Sequence, residues 1–203
     1  MKDGDICEDS GCRVPLPDRD ALDGEAKALY DYFADPAGGT YAGLRGPGGI
    51  RLHSPPVALL MQPLNRYLRR ESGITREVRE LSILVTARAL DSQFEWTMHE
   101  PEALEAGISQ AVVDIVKYRK PADHLPEREA VIIRLGREIF GDHRVTSETY
   151  ARALAVFGKR MLIDLVSVMG NYAATAALLC AFDMQVHAGD KPLLPRVWGT
   201  ASV

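Results

Sequence analysis

The chain has 203 residues, 46% hydrophobic and 26% charged, with three cysteines and a formal net charge of −4 at pH 7. These fractions fit one globular domain with tails and exclude a disordered chain, a collagen-like repeat and a disulfide mini-scaffold. The acidic balance also argues against a nucleic-acid partner, which demands a dense basic face to neutralise phosphates. The two short basic clusters, Arg66/Arg69/Arg70 and Lys117/Arg119/Lys120, are flanked by acids and read as solvated faces.

Residues 1–17 are polar, contain Pro15 and Pro17, and read as a flexible tail without the apolar run of a signal peptide. Cys7, Cys12 and Cys180 match neither a zinc pair nor a CxxC motif, so they are expected as free thiols of a cytoplasmic protein. A single domain is expected over 18–190. Its first helix covers 21–33, where Leu22, Ala26, Leu29, Tyr30 and Phe33 recur at helical spacing, and Asp35-Pro36 stops it. Residues 38–56 read as a long glycine- and proline-rich loop, of the kind that often carries function. Ser54-Pro55 opens a helix to Arg70, with Pro63 as a point of kinking. Thr75 caps a helix over 76–90, and another over 94–106 ends at Gly107. Ser109 opens a helix to Tyr118. Beyond the link from Pro121 to Pro126, helices follow over 127–139, 147–157 and 159–182, then a C-terminal tail over 191–203. The longest apolar run, 173–182 with only Thr175 interrupting, is about half the ~20 residues of a membrane span, so no membrane partner is expected. No stretch alternates with period two. The fold class is all-α, with about seven helices.

The chemistry concentrates in two adjacent helices. Glu80 shares a helical face with Ile83, Leu84 and Ala87. A carboxylate there must be ion-paired, hydrogen-bonded or protonated, so it is either a structural pair or a site with a raised pKa. Glu95 and His99, four residues apart, form either an acid/base unit with an oriented ring or an exposed helical pair. Pro101 cannot donate to the Thr97 carbonyl and should bend the helix just past His99. The five histidines lack metal-ligand spacing, the Gly43–Gly49 stretch lacks GxGxxG order and a Walker lysine, and there is no GxSxG elbow. Neither a metal nor a cofactor is expected.

The motifs "REL-IL-AR" (Arg79–Arg88), "FEW--H" (Phe94–His99) and "A--AG-S" (Ala103–Ser109), with a second block over Asp164–Pro195, resemble the carboxymuconolactone decarboxylase and AhpD-like alkylhydroperoxidase superfamily. The resemblance covers about half the chain. In its peroxidase branch a glutamate, a Cys-x-x-Cys pair and a histidine act together. Their positions here are Glu80, Ser92, Glu95 and His99, so both thiols are missing and cysteine peroxidase chemistry is not expected. What remains resembles the decarboxylase-like branch. It implies cofactor-independent decarboxylation, isomerisation or hydration/dehydration of a small unsaturated carboxylic acid or lactone. Glu80 would then be acid or base, His99 the proton shuttle, and Glu95 the orienter or second carboxylate. A carboxylate substrate needs a cation, for which Arg88, Arg51, His53 and Arg45 are candidates, with Trp96, Tyr172 and Tyr41 shaping the pocket. The resemblance further implies a homo-oligomer, trimer or hexamer, with sites near subunit contacts. The alternative is a non-catalytic oligomeric scaffold in which Glu80 and His99 are only a structural pair. The chain departs from the small decarboxylases in its N-terminal tail, its Gly/Pro loop before His53 and its C-terminal extension.

Overall fold

One helix organises the rest. Helix α4 (Arg76–Ala89) is capped by the Thr75 hydroxyl, which accepts from the Val78 N–H, and every residue from Val78 to Arg88 is buried. A helix enclosed on all sides must satisfy its own polar groups. Ser82 Oγ donates to the Val78 carbonyl (2.7 Å) and Thr86 Oγ1 to that of Ser82 (2.9 Å).

The computed structural model describes residues 4–37 and 40–195. Before α4 come α1 (Gly24–Ala34), α2 (Pro47–Leu52) and α3 (Pro55–Arg66), the last continuing as a π-turn over Tyr67–Glu71. After it come α5 (Gln93–Glu105), α6 (Gln110–Lys117), α7 (Glu127–Arg137, with a second π-turn over Glu138–Asp142) and α8 (Ser147–Ala181). No strand occurs among the described residues, only an isolated antiparallel bridge between Cys7 and Cys12. Helices α5, α6, α7 and α8 all pack on α4 and share with it one apolar core that includes Leu84, Val113, Ile133, Leu165 and Met169. Helices α1, α2 and α3 form a second layer around two smaller clusters, one on Phe94 and Leu179 and one on Leu29, Leu52 and Ala58. A cavity lies between the layers.

Helix α8 is two helices joined at Gly158, whose φ of 70° and ψ of 167° are not helical; this is the break expected between Phe157 and Lys159. By length and composition α8 would also cross a membrane, but half of its apolar window is buried inside the fold. The helices carrying Pro63 and Pro101 continue through both prolines.

Three expectations change. Residues 38–56 are not a loop throughout, because Pro47–Leu52 is helical with Gly48, Gly49, Ile50 and Leu52 buried. Its glycines answer to close packing rather than turn formation: a Cβ on Gly49 would sit 2.0 Å from the Leu44 carbonyl oxygen. Within the expected N-terminal tail, the described residues 4–17 pack against the fold; residues 1–3 lie outside the described residues. Arg13 N–H donates to the Phe182 carbonyl (2.9 Å), Gln185 N–H donates to that of Gly11 (2.9 Å), and Cys12 is buried beside Phe94 and Leu179. At the other end Leu194 joins the main core and the Pro195 carbonyl accepts from Arg88; residues 196–203 lie outside the described residues.

Helices α4 and α7 approach most closely at Gly136, where an added Cβ would lie 2.3 Å from Val85 Cγ1. Gly136→Ala is expected to overpack this contact and lower the unfolding free energy by about 1–3 kcal/mol, read from the denaturant midpoint at unchanged slope.

Candidate active site

A cavity of about 320 Å³ opens between the layers, at the lower end of the range for small-molecule sites. His99 projects into it from α5. Its Nδ1 lies 2.7 Å from Glu80 Oε2, and the Glu80 side chain, on α4, is fully buried behind the ring. Arg79 Nε donates to the other Glu80 oxygen (3.2 Å), and Arg79 Nη1 to the Arg69 carbonyl (2.7 Å). Burial pushes the Glu80 carboxyl up, but the His99 hydrogen bond and the charges of His99, Arg79 and Arg69 bring it below the usual carboxylate value. An ionised carboxylate can only accept, so Nδ1 carries the proton. Nε2 is therefore the nitrogen left for the cavity.

Two tyrosines hold the ring edge-on: Tyr172, with centroids 5.2 Å apart, and Tyr41, at 5.7 Å. The Tyr172 hydroxyl accepts from Arg69 Nη1 (3.1 Å), which leaves its own proton to be donated elsewhere. Burial pushes this phenol up to about 12, so it stays protonated. Arg69 also stacks 4.7 Å over the Tyr41 ring.

Glu95, one turn before His99, also lines the cavity and is 3% exposed. Neither of its oxygens makes a hydrogen bond within the described residues. Burial pushes its carboxyl up to about 8, outweighing the pull of the nearby Ser92 hydroxyl and the Arg51 charge. At neutral pH it is a protonated acid. Arg51, from α2, lines the same wall and donates to Thr175 Oγ1 (2.7 Å).

Expectation and structure divide as follows. Glu80, Glu95, His99, Arg51, Tyr172 and Tyr41 converge, but the two carboxylates exchange places. Glu80, expected as the acid or base, lies behind His99 and does not line the cavity, while Glu95, expected to orient His99, makes no hydrogen bond to it and faces the cavity instead. The ring meets the partner presented by the facing helix, not the one four residues back on its own. The other expected contacts lie elsewhere. Arg88 is buried against Asp91 (2.5 Å) and the Pro195 carbonyl. Trp96, fully buried, points to the opposite side of α5, where its indole donates to Glu100 and the Lys117 ammonium lies over its ring. His53 Nε2 sits 2.8 Å from the Pro15 carbonyl, and Arg45 reaches the Glu8 carbonyl. Arg69 is the reverse case: its cluster read as a solvated face, yet its guanidinium lines the cavity. Asn171 and Thr175 were also missed, and only their helical register with Tyr172 on α8 signals them.

Glu95 links the site to stability. In the unfolded chain its pKa is about 4.5 and in the fold about 8, so the folded state holds a proton that the unfolded state releases. Its contribution is greatest below pH 4.5 and is lost as pH rises from 4.5 to 8. Glu95→Gln has no such loss. Its melting temperature relative to wild type is expected to climb by at least ~3 °C between pH 5 and pH 8. A difference that stays constant across that range would contradict an unpaired buried acid at this position.

A model of the carboxymuconolactone decarboxylase family matches residues 55–117, the segment that carries α3, α4, α5 and α6. Among solved structures, the chain is similar to an alkylhydroperoxidase AhpD core, an uncharacterised peroxidase-related protein from Ralstonia eutropha JMP134. The likeness has a TM-score of 0.68 and 18% identity over 87% of this chain and 93% of the other. No curated protein matches this chain. Residues 55–117 are thus similar to the carboxymuconolactone decarboxylase family, and the chain as a whole shares the fold of an AhpD core.

Proposed function

We propose that the chain is a cofactor-independent acid/base enzyme of the decarboxylase-like type, acting on a small unsaturated carboxylic acid or lactone. The observation that carries the proposal is the pairing of opposites in one cavity: an imidazole held by an ionised Glu80 and a protonated Glu95. Titratable groups driven apart by their surroundings are the physical mark of assigned acid and base roles.

In this scheme Arg69 and Arg51 hold the substrate anion. His99 Nε2 takes or relays the proton, while Glu80 keeps the ring in place and offsets the imidazolium charge. Loss of CO₂, or of a proton next to a carbonyl, places an enolate-like charge on oxygen, which the Tyr172 hydroxyl and Arg69 stabilise as donors. The Glu95 carboxyl then delivers its proton to carbon. Ser92 and Glu95 stand where the peroxidase branch has its cysteines, so proton transfer is favoured over thiol chemistry. Three free thiols suit a reducing, cytoplasmic setting. Homo-oligomerisation, as a trimer or hexamer, would cover the apolar surface formed by Val57, Leu60 and Leu64 of α3 and Ile163 and Val166 of α8, all exposed here.

The test is a thermal-shift screen of unsaturated acids and lactones, with each hit followed by mass spectrometry for conversion. His99→Ala and Glu80→Gln are expected to lower turnover at least tenfold while remaining folded. Wild-type turnover of the same hit in both variants would refute the assignment. Glu95 as the proton donor also predicts that the wild-type rate falls as pH rises through about 8, with that limb absent in Glu95→Gln.

A further inference from the structure

We infer that the cavity is shaped for a head-and-tail anion: a monocarboxylate with an alkyl or aryl tail, rather than a uniformly polar acid. The inference rests on the proton-transfer reading of the same cavity and specifies its substrate. The wall from α8 sets the order of the groups. It presents Tyr172, then Thr175, then Leu179, spanning about 10 Å along the helix axis. At Tyr172 stand Arg69 (3.1 Å) and His99 (5.2 Å between centroids). One step deeper, Thr175 holds Arg51 (2.7 Å). At Leu179 the partners are Phe94 and Ile50, and the neighbouring apolar cluster supplies Phe33 and Ala58.

The two ends differ in exposure as well as polarity. Arg66, Arg70 and Tyr41 are exposed at the Tyr172 end, which marks the entrance. Leu179, Phe94 and Ala58 are 4%, 4% and 2% exposed, so the far end is walled by buried apolar side chains. Gly48 adds to this wall, because its backbone passes so near the Phe33 ring that an added Cβ would lie 3.0–3.1 Å from three ring carbons. The cavity's charged side chains lie along its open and middle sections, where they meet a carboxylate and the carbons next to it. Beyond them a polar substrate would meet mainly apolar side chains, with Tyr32 and Thr40 as neutral polar groups at the margin and no charged partner. An apolar tail is the group that gains there, because every methylene moved out of water adds to affinity.

The experiment is isothermal calorimetry of the full chain with acetate, butyrate, hexanoate and phenylpropanoate, beside the straight-chain alcohols of matching length. Affinity is expected to rise about fourfold per methylene from butyrate to hexanoate. Each alcohol should bind at least tenfold more weakly than its acid. Leu179→Phe should cut hexanoate binding at least tenfold and leave acetate unchanged. If that variant does not fold, Phe33→Ala, on a half-exposed ring, should admit a longer chain than wild type. Affinity that is flat or falls with chain length overturns the inference, and equal binding of acids and alcohols overturns the anionic head. The assay reads binding alone. Its failure therefore leaves the proton-transfer proposal standing, while wild-type turnover in both His99→Ala and Glu80→Gln would refute that proposal without altering the chain-length series.

Discussion

A carboxylate with no exposure cannot remain ionised unless partners replace the water it has lost, and unpaired it would cost several kcal/mol. Glu80 sits in the middle of the most enclosed helix of the fold and meets that requirement with two partners, Arg79 beside it and His99 from α5. Each partner passes the constraint outward. Arg79 also donates to the Arg69 carbonyl, which ties the π-turn after α3 to α4; Arg69 in turn holds Tyr172 and covers Tyr41. Both rings meet the imidazole at right angles. This wall of the cavity is thus a continuous set of contacts anchored on one buried charge. Removing that charge would loosen the two layers where they meet.

The second carboxylate shows what happens without partners. Glu95 lies on the helix that carries His99 and is almost as buried as Glu80, yet among the described residues it has no charged hydrogen-bond partner. The Ser92 hydroxyl and the Arg51 charge do not outweigh its burial. The same loss of water therefore has opposite outcomes. With strong partners Glu80 falls below its ordinary pKa, and without them Glu95 rises to about 8. Two residues of one type are separated into a fixed negative charge and a neutral acid by geometry alone.

The sequence carries the helices well because their signals are local. Thr75 and Ser109 cap where hydroxyls are expected, and Gly158 breaks the last helix where its freedom is needed. Glu80 and His99 were also legible, one as a charge on an apolar face and the other from its family motif. What could not be read is which partner each group meets, since that depends on contacts between helices distant in sequence. Glu95 lies four residues from His99, but Glu80, nineteen residues away, is the one that reaches it. Arg88 shares a helix with Glu80 and yet turns to Asp91, whereas Arg69 looks like any surface arginine until α8 supplies Tyr172. The short helix at Pro47–Leu52 was hidden for the same reason. Its glycines are set by the approach of the Leu44 carbonyl and the Phe33 ring, not by any local turn pattern.

An unpaired buried acid is a local rule broken, and such breaks persist mainly where function needs them. Its position suggests the reason. Glu95 stands where the peroxidase branch has its second cysteine, and a free thiol titrates near 8.5. A carboxyl raised to about 8 is protonated near neutral pH, as an ordinary thiol is, and it stands one turn from His99 in the cavity wall. What differs is the chemistry open to it. A thiolate attacks peroxide oxygen and must be resolved by a second sulfur, whereas a carboxyl that gives up its proton needs only to regain one from water or a neighbouring base's conjugate acid. With Ser92 and Glu95 at both cysteine positions, the proposed change from redox to acid/base work would leave the Glu80–His99 frame in place, and it would rest on the burial of Glu95.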